Sequence, residues 1–356
     1  MKINVRSLKQ SGLKVLTGSH ANDLLSSVLS IILALLVSAV MILLMGKSPI
    51  DAYGALFSGA FGSFNALINT LGKSIPLIFT GLGVGLAFRS GMLNIGVEGQ
   101  LTLGAFVSVA LALKFGNLPA FVLLPLVILG GMAAGGALSG VAGFLKVKMG
   151  LNEVIVTLML NYLAILFTTF MVNGPYKSEG MMPQTDVVPG GAVLQKLFPG
   201  MQLTSSIFIA VIVAIIVYVL LWKTSFGFEI RAVGQNATAA QSGGIHVSRN
   251  IILTMVLSGA VASLAGVTEV LGTYERFILN FSPGFGFTGI AVAVLGRNHP
   301  VGIILTALLF GALDAGALSM SMRTSISASV ISVIQGLVIL FVAMPRILSI
   351  IRSKGV

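Results

Sequence analysis

The chain has 356 residues, of which 56% are hydrophobic and only 9% charged, with a mean hydropathy of +1.03. A soluble domain carries about a quarter charged residues, so this composition cannot coat a globule of that size with a wettable surface; a bilayer removes that need, because lipid-facing side chains should be apolar. The net charge of +11 does not mark a nucleic-acid partner, since the basic residues sit at the ends of apolar segments rather than in one stripe.

A spanning helix needs about 20 mostly apolar residues. By that measure the chain reads as an all-α polytopic membrane protein with about ten transmembrane helices, over 24–45, 67–88, 97–114, 119–145, 153–173, 204–222, 250–272, 284–296, 300–319 and 327–345. The first is too long for a signal h-region and no A-x-A site follows it, so it reads as an uncleaved span. The eighth, at 284–296, is too short to cross straight and follows Ser282-Pro283-Gly284; the third follows Gly91-Met92-Leu93-Asn94. Such starts suggest broken or re-entrant helices, tolerated only where they are buried in protein or line a cavity. Leu93, Asn94, Thr102 and Ala105 recur at a constant offset as Leu279, Asn280, Thr288 and Ala291, the pattern of an inverted-topology repeat.

Ten crossings put both ends on one side. Fourteen of the basic residues fall on the side of the two tails, 1–23 and 346–356, and seven on the other, so the positive-inside rule places both termini in the cytoplasm. The long connection 174–203, with Pro175, Pro183, Pro189 and Pro199, then lies outside as an ordered cap or lateral helix. The polar connection 223–249 lies inside.

Several motifs carry nothing. Gly284-Phe285-Gly286-Phe287-Thr288-Gly289 matches a dinucleotide fingerprint but follows no soluble strand. Gly46-Lys47-Ser48 and Gly72-Lys73-Ser74 resemble the end of a P-loop, yet Met41 and Leu67 stand where its first glycine is needed, so no ATP site of the chain's own is expected. There is no Cys, and His20, His246 and His299 are scattered at segment edges. Neither a metal, a cofactor nor a membrane-embedded catalytic constellation is therefore expected.

Charged side chains inside spans are costly and default to functional candidates. Glu98 and Glu153 begin apolar segments, where an acid complements the helix dipole. Glu269 lies near the end of its segment. Asp314 has no such setting, and a buried partner such as Arg323 or a hydroxyl would be needed. With the amides they make Asn94, Glu98, Gln100, Asn280 and Asp314 the pathway candidates. Gly81/Gly85, Gly131/Gly135 and Gly136/Gly140 have the spacing of close helix packing.

The most specific signal is the polar loop Arg231-Ala232-Val233-Gly234-Gln235-Asn236-Ala237-Thr238-Ala239-Ala240-Gln241-Ser242-Gly243-Gly244-Ile245. It resembles the cytoplasmic coupling segment of the ABC permeases for ribose, branched-chain amino acids and nucleosides. A short Ala-rich helix with Asn236 as cap and Gly243-Gly244 as stop can dock as a knob in another protein. Residues 82–100, with Arg89-Ser90-Gly91-Met92-Leu93-Asn94-Ile95-Gly96-Val97-Glu98-Gly99-Gln100, and residues 282–296 resemble the nucleoside branch rather than the sugar branch.

That resemblance implies a cobalamin-importer-like permease architecture in a bacterial plasma membrane. It implies a second permease subunit, identical or paralogous, an ABC ATPase subunit and an external substrate-binding lipoprotein. It assigns ATPase coupling to Gly234, Asn236, Ala239, Ala240, Gly244 and Ile245. The expected function is a non-enzymatic transmembrane subunit of an ATP-driven importer of nucleosides, with a simple-sugar importer or an ion-coupled secondary transporter as alternatives.

Overall fold

A computed structural model describes residues 32–327, 329–337 and 340, and all regular structure among them is helical. The helices are α1 (Ile32–Leu44), α2 (Pro49–Phe61), α3 (Phe64–Arg89), α4 (Val97–Lys114), α5 (Ala120–Met149), α6 (Glu153–Asn173), α7 (Ser206–Lys223), α8 (Ser225–Gln235), α9 (Ala237–Ser242), α10 (Val247–Thr268), α11 (Phe285–Leu295) and α12 (Pro300–Thr324). Seven of them, α3 to α7, α10 with its terminal π turn and α12, are long and apolar enough to cross a membrane. The chain is an all-helical, multi-pass membrane protein. The N-terminal part of the expected span 24–45, residues 328, 338–339 and 341–345 of the expected span 327–345, and both tails lie outside the described residues, whereas 329–337 are helical.

Chain punctuation explains the helix limits. Asn152 caps α6 by accepting from the Val154 amide at 2.9 Å, and Glu153 in its first turn pairs with Lys146 at 2.8 Å. Gly150, with φ +68°, ends α5 in the left-handed conformation that an L side chain resists. Two helices escape a 20-residue criterion altogether: α8 lies in the polar connection 223–249, and α2 fills the connection after the first apolar segment. Pro49 stands at its first position, and the Ser48 hydroxyl accepts from the Asp51 amide at 3.3 Å.

Residues 60–315 form one compact unit; among the described residues, 32–59 and those from 316 to 340 form a second. In the smaller unit Tyr53 donates to the Leu35 carbonyl at 2.6 Å and pairs with the Ser38 hydroxyl at 2.8 Å, while Arg323 donates to Ser58 at 3.1 Å. Arg323 is thus engaged. It lies nine positions beyond Asp314 on the same helix, about 13 Å along the axis, too far to be the partner that the sequence suggested. Asp314 is half-buried in the larger unit.

In the larger unit α3 and α10 are the central helices, with 78% and 67% of their most apolar windows buried; α5, α6 and α7 are peripheral, at 28%, 22% and 28%. Their outward faces carry Leu163, Leu166, Phe170, Phe208 and Ile212, as a lipid-facing surface requires. Small residues let the central helices approach: α10 crosses α5 where Gly259 abuts the Gly135 carbonyl and the Ser139 side chain.

Residues 174–203 form no lateral helix beyond the 3₁₀ turn Gly190–Ala192. They make an ordered cap over the segment after α10, through Thr185 N to Phe277 O at 2.9 Å, Val188 N to Glu275 O at 2.8 Å and Leu194 N to Leu271 O at 2.9 Å. The cap lies at the opposite end of α10 from α9.

The Gly259 crossing gives a direct test. A methyl group there would fall 2.5 Å from the Ser139 Cβ, whereas one at Gly54 meets nothing within 4 Å. Gly259→Ala is expected to lose about 1–3 kcal/mol of stability, seen as a lower melting temperature of the detergent-solubilised chain. Gly54→Ala, at an uncrowded helical position, is expected to leave it unchanged or raised.

Candidate functional site

The residues that the sequence nominated separate into three places. The first is a seam deep in the larger unit where two helices begin. The chain leaves α3 at Arg89, turns at Gly91 (φ +78°) and re-enters the protein, so that α4 starts beside fully buried Asn94. On the other side the chain leaves α10, returns beneath the cap, and starts α11 at Phe285 after Gly284 (φ +100°). A helix that begins in the interior presents unpaired backbone N–H groups. For α11 they are met by the Ser282 hydroxyl, which accepts from the Gly284 and Phe285 amides at 3.2 and 3.1 Å. The Glu98 carboxylate accepts from the Gly286 amide at 2.7 Å. Glu98 therefore caps a helix 188 positions further along the chain, and a carboxylate there also complements the α11 dipole. Glycine is required at 286, because a Cβ would overlap the Glu98 backbone.

Beside this bond lies a cavity of ≈50 Å³ lined by Glu98, Thr102, Thr168, Asn280 and Ser282. The structure thus brings Glu98 and Asn280 together, and adds three hydroxyl residues that composition alone did not single out. Sites for small molecules run to about 300–1,000 Å³, so this cavity is too small for such a ligand in this conformation. Above it the aromatic rings of Phe106, Phe277 and Phe281 pack edge to face at centroid distances of 5.8 and 5.5 Å.

Asn94 and Gln100 form the second place. They pair reciprocally: Asn94 Nδ2 donates to Gln100 Oε1 at 3.0 Å, and Gln100 Nε2 to Asn94 Oδ1 at 2.8 Å. Asn94 also donates to Ser258 at 2.9 Å, whose hydroxyl donates to the Gly83 carbonyl at 2.7 Å. Both amides are buried and satisfied in this conformation, and they tie the re-entrant turn to α3, α4 and α10.

The third place is the polar loop. α8 starts under a Thr224 cap and ends at extended Asn236, whose side chain accepts from the Ala239 amide at 3.0 Å and so starts α9. Gly244 (φ +85°) ends it, with the Ile245 amide returning to the Ala240 carbonyl at 3.0 Å. The loop thus projects a capped helical knob. The two alanines face different ways: Ala240 is buried against the chain's own body, while Ala239 is exposed together with Ala237, Thr238 and Gln241. A polar cleft of ≈260 Å³ lined by Glu229, Gly244, His246, Arg249 and Asn250 adjoins the knob.

Next to the knob lies a cluster that segment reading assigned only to membrane edges. Arg89 and Arg231 lie over the Trp222 ring at 5.2 and 6.0 Å, and the His299 ring is 4.6 Å from Trp222 and 5.9 Å from Tyr218. Burial first, and the Arg89 charge second, hold the His299 imidazolium pKa below the usual histidine range. Because the folded chain disfavours the proton, the stability this neutral ring provides is present above the unfolded value of about 6.5. It is lost as pH falls through the lower folded value. The melting temperature is therefore expected to fall more steeply between about pH 7 and 5 in the parent chain than in His299→Gln. Equal slopes would show that His299 does not carry the acid sensitivity.

Residues 66–343 match the family model described as branched-chain amino acid transport system / permease component. The chain is similar to a guanosine ABC transporter permease protein of Bacillus subtilis, 38% identical over 340 residues covering 94% of this chain and 97% of that one. It is 35% identical to a nucleoside ABC transporter permease protein of Lactococcus lactis over 95% of each chain. It is also 35% identical to a glucose ABC transporter permease protein of Haloferax volcanii, over 88% of this chain and 85% of that one. The chain belongs to the branched-chain amino acid transport system permease family and is the permease component of an ABC importer, whose ATPase is a separate subunit.

Proposed function

We propose that the importer carries nucleosides. The observation that carries this reading is the near full-length similarity to the guanosine and nucleoside permeases. The similarity to a glucose permease supports simple sugars as the second reading. Hydroxyl and amide groups at Thr102, Thr168, Asn280 and Ser282 suit either, because ribose and hexose both offer hydroxyls to bond.

In this reading the chain pairs with a second permease subunit, an ABC ATPase and an external binding lipoprotein, in a bacterial plasma membrane. Ten crossings in a cobalamin-importer-like arrangement leave both termini and the loop 223–249 in the cytoplasm. Glu98, Asn280 and Asp314 border the path, and Asn94 and Gln100 hold its re-entrant turn. The α4 and α11 starts, each preceded by one copy of the Leu-Asn pair and meeting at the seam, support an inverted repeat.

Reconstitution with the cognate ATPase, second permease and binding protein decides the substrate class. Uptake of labelled guanosine or another nucleoside that unlabelled nucleosides, but not glucose or ribose, compete away is the expected result. Competition by the free sugars alone would establish the second reading.

Coupling is assigned to Gly234, Asn236, Ala239, Ala240, Gly244 and Ile245, with Ala239 as the docking surface and Ala240 as the support beneath it. Ala239→Trp is then expected to detach the ATPase on co-purification while the chain inserts and melts normally, since overpacking a contact costs about 1–3 kcal/mol. Ala240→Trp is expected to lower the chain's own stability as well. An Ala239→Trp complex that keeps its ATPase and its hydrolysis rate would remove this loop from the coupling role.

A further inference from the structure

Arg89, the last residue of α3, touches both α8, which leads into the knob, and the turn that follows the seam helix. Its carbonyl oxygen lies against Gly234, so closely that a Cβ at 234 would overlap it. Its side chain turns the other way and grips the α11–α12 connection: Nε donates to the Asn298 carbonyl at 2.8 Å and a terminal nitrogen to the Arg297 carbonyl at 3.0 Å. Arg297 and Asn298 both hold positive φ, at 57° and 53°, a conformation that L residues avoid in succession. Trp222 covers the guanidinium face. The gripped turn is bonded back to the C-terminal end of α11 through Asn298 N to Ala293 O at 2.8 Å, and α11 is an 11-residue rod about 16 Å long. The other end of that rod is the Gly286 amide bonded to Glu98.

We infer that Arg89 is a positioning residue that carries displacement of the coupling loop to α11 and so opens the Glu98–Gly286 seam. This rests on the coupling role proposed for α9. The requirement for arginine is geometric. Its fork supplies two donors at fixed spacing, matching two successive carbonyls, while its flat face lies on Trp222; a lysine ammonium offers one flexible point of contact. A helix-end cation retained only for membrane orientation needs neither the paired carbonyls nor the ring beneath it. α11 itself is suited to move as one body, being short, unbroken and fixed at both ends by directional bonds.

The chain contains no cysteine, so Thr102→Cys places a single thiol on the seam cavity. In the complete complex reconstituted in nanodiscs, maleimide labelling at position 102 is measured with and without ATP, beside the ATP hydrolysis rate. With Arg89 intact, ATP is expected to speed labelling by about tenfold, within the usual range of coupling between two sites. In Arg89→Ala the ATPase is expected to co-purify and hydrolyse ATP near the parent rate, with the acceleration lost. Arg89→Lys is expected to keep only part of it.

Full acceleration in Arg89→Ala, or in Arg89→Lys should the alanine variant fail to assemble, overturns the inference. So does an absence of ATP-dependent labelling with Arg89 intact, or a loss of hydrolysis in proportion to labelling, which would place Arg89 at the docking step. Ala239→Trp separates the two claims. If it detaches the ATPase while Arg89→Ala labels like the parent, coupling through α9 stands and transmission through Arg89 fails. If it leaves the ATPase bound and active, the coupling reading itself fails.

Discussion

The constraint on which the rest of the larger unit depends is that a helix starting inside a membrane protein must find acceptors for its first amides. Water is not there to supply them, and each unmet group costs several kcal/mol. α11 meets this demand with one local hydroxyl, Ser282, and one distant carboxylate, Glu98. The distant bond has consequences in both directions. It fixes the N-terminus of α11 against the first turn of α4, requires glycine at 286, and turns an acid that would be expensive in a span into a helix cap. It also closes the space between the two re-entrant segments down to a small polar cavity.

Around that junction stability rests on close packing rather than on sequestering apolar surface, because lipid is as apolar as leucine. This is why α3 and α10, the two most buried helices, carry runs of Gly, Ala and Ser, whereas α6 and α7 can expose Leu, Ile and Phe. The paired amides of Asn94 and Gln100 add a directional lock where three helices and a turn meet. Reciprocal pairing matters there: a buried amide left half satisfied weakens the fold by about 1–3 kcal/mol, while a complete network fixes one arrangement.

Much of this organisation is legible in the residues. α4 and α6 occupy the same residues as their apolar segments because charges and caps stand at their limits, Glu98 and Lys114 in one case, Asn152 and Glu153 in the other. The helical knob is readable from the Asn236 cap and the Gly243-Gly244 stop. Helix α2 is missed by a length criterion set by the bilayer, although Ser48-Pro49 marks its start. The partner of Glu98 is beyond local reasoning, since no spacing rule links an acid to an amide 188 positions away. Arg89 is hidden for a different reason. A cation after an apolar segment already has a complete explanation in membrane orientation, so nothing in the sequence asks for its second role.

On the proposed mechanism the strength of the seam bond sets how the importer rests. A hydrogen bond to a charged group contributes about 1.5–3 kcal/mol, which corresponds to a closed-to-open preference of roughly ten- to a hundred-and-fifty-fold. That range keeps the seam shut in nearly all molecules without substrate, so the path does not leak. It also lies below the differential of about 5.5 kcal/mol needed to invert a two-state equilibrium completely. A partner that binds the open state preferentially, through the knob, can therefore reverse it. A seam of several such bonds would resist that shift, and an apolar seam with no directional bond would leave α11 without a partner for its Gly286 amide. A single carboxylate on a single helix start satisfies the backbone and leaves the junction within reach of being opened.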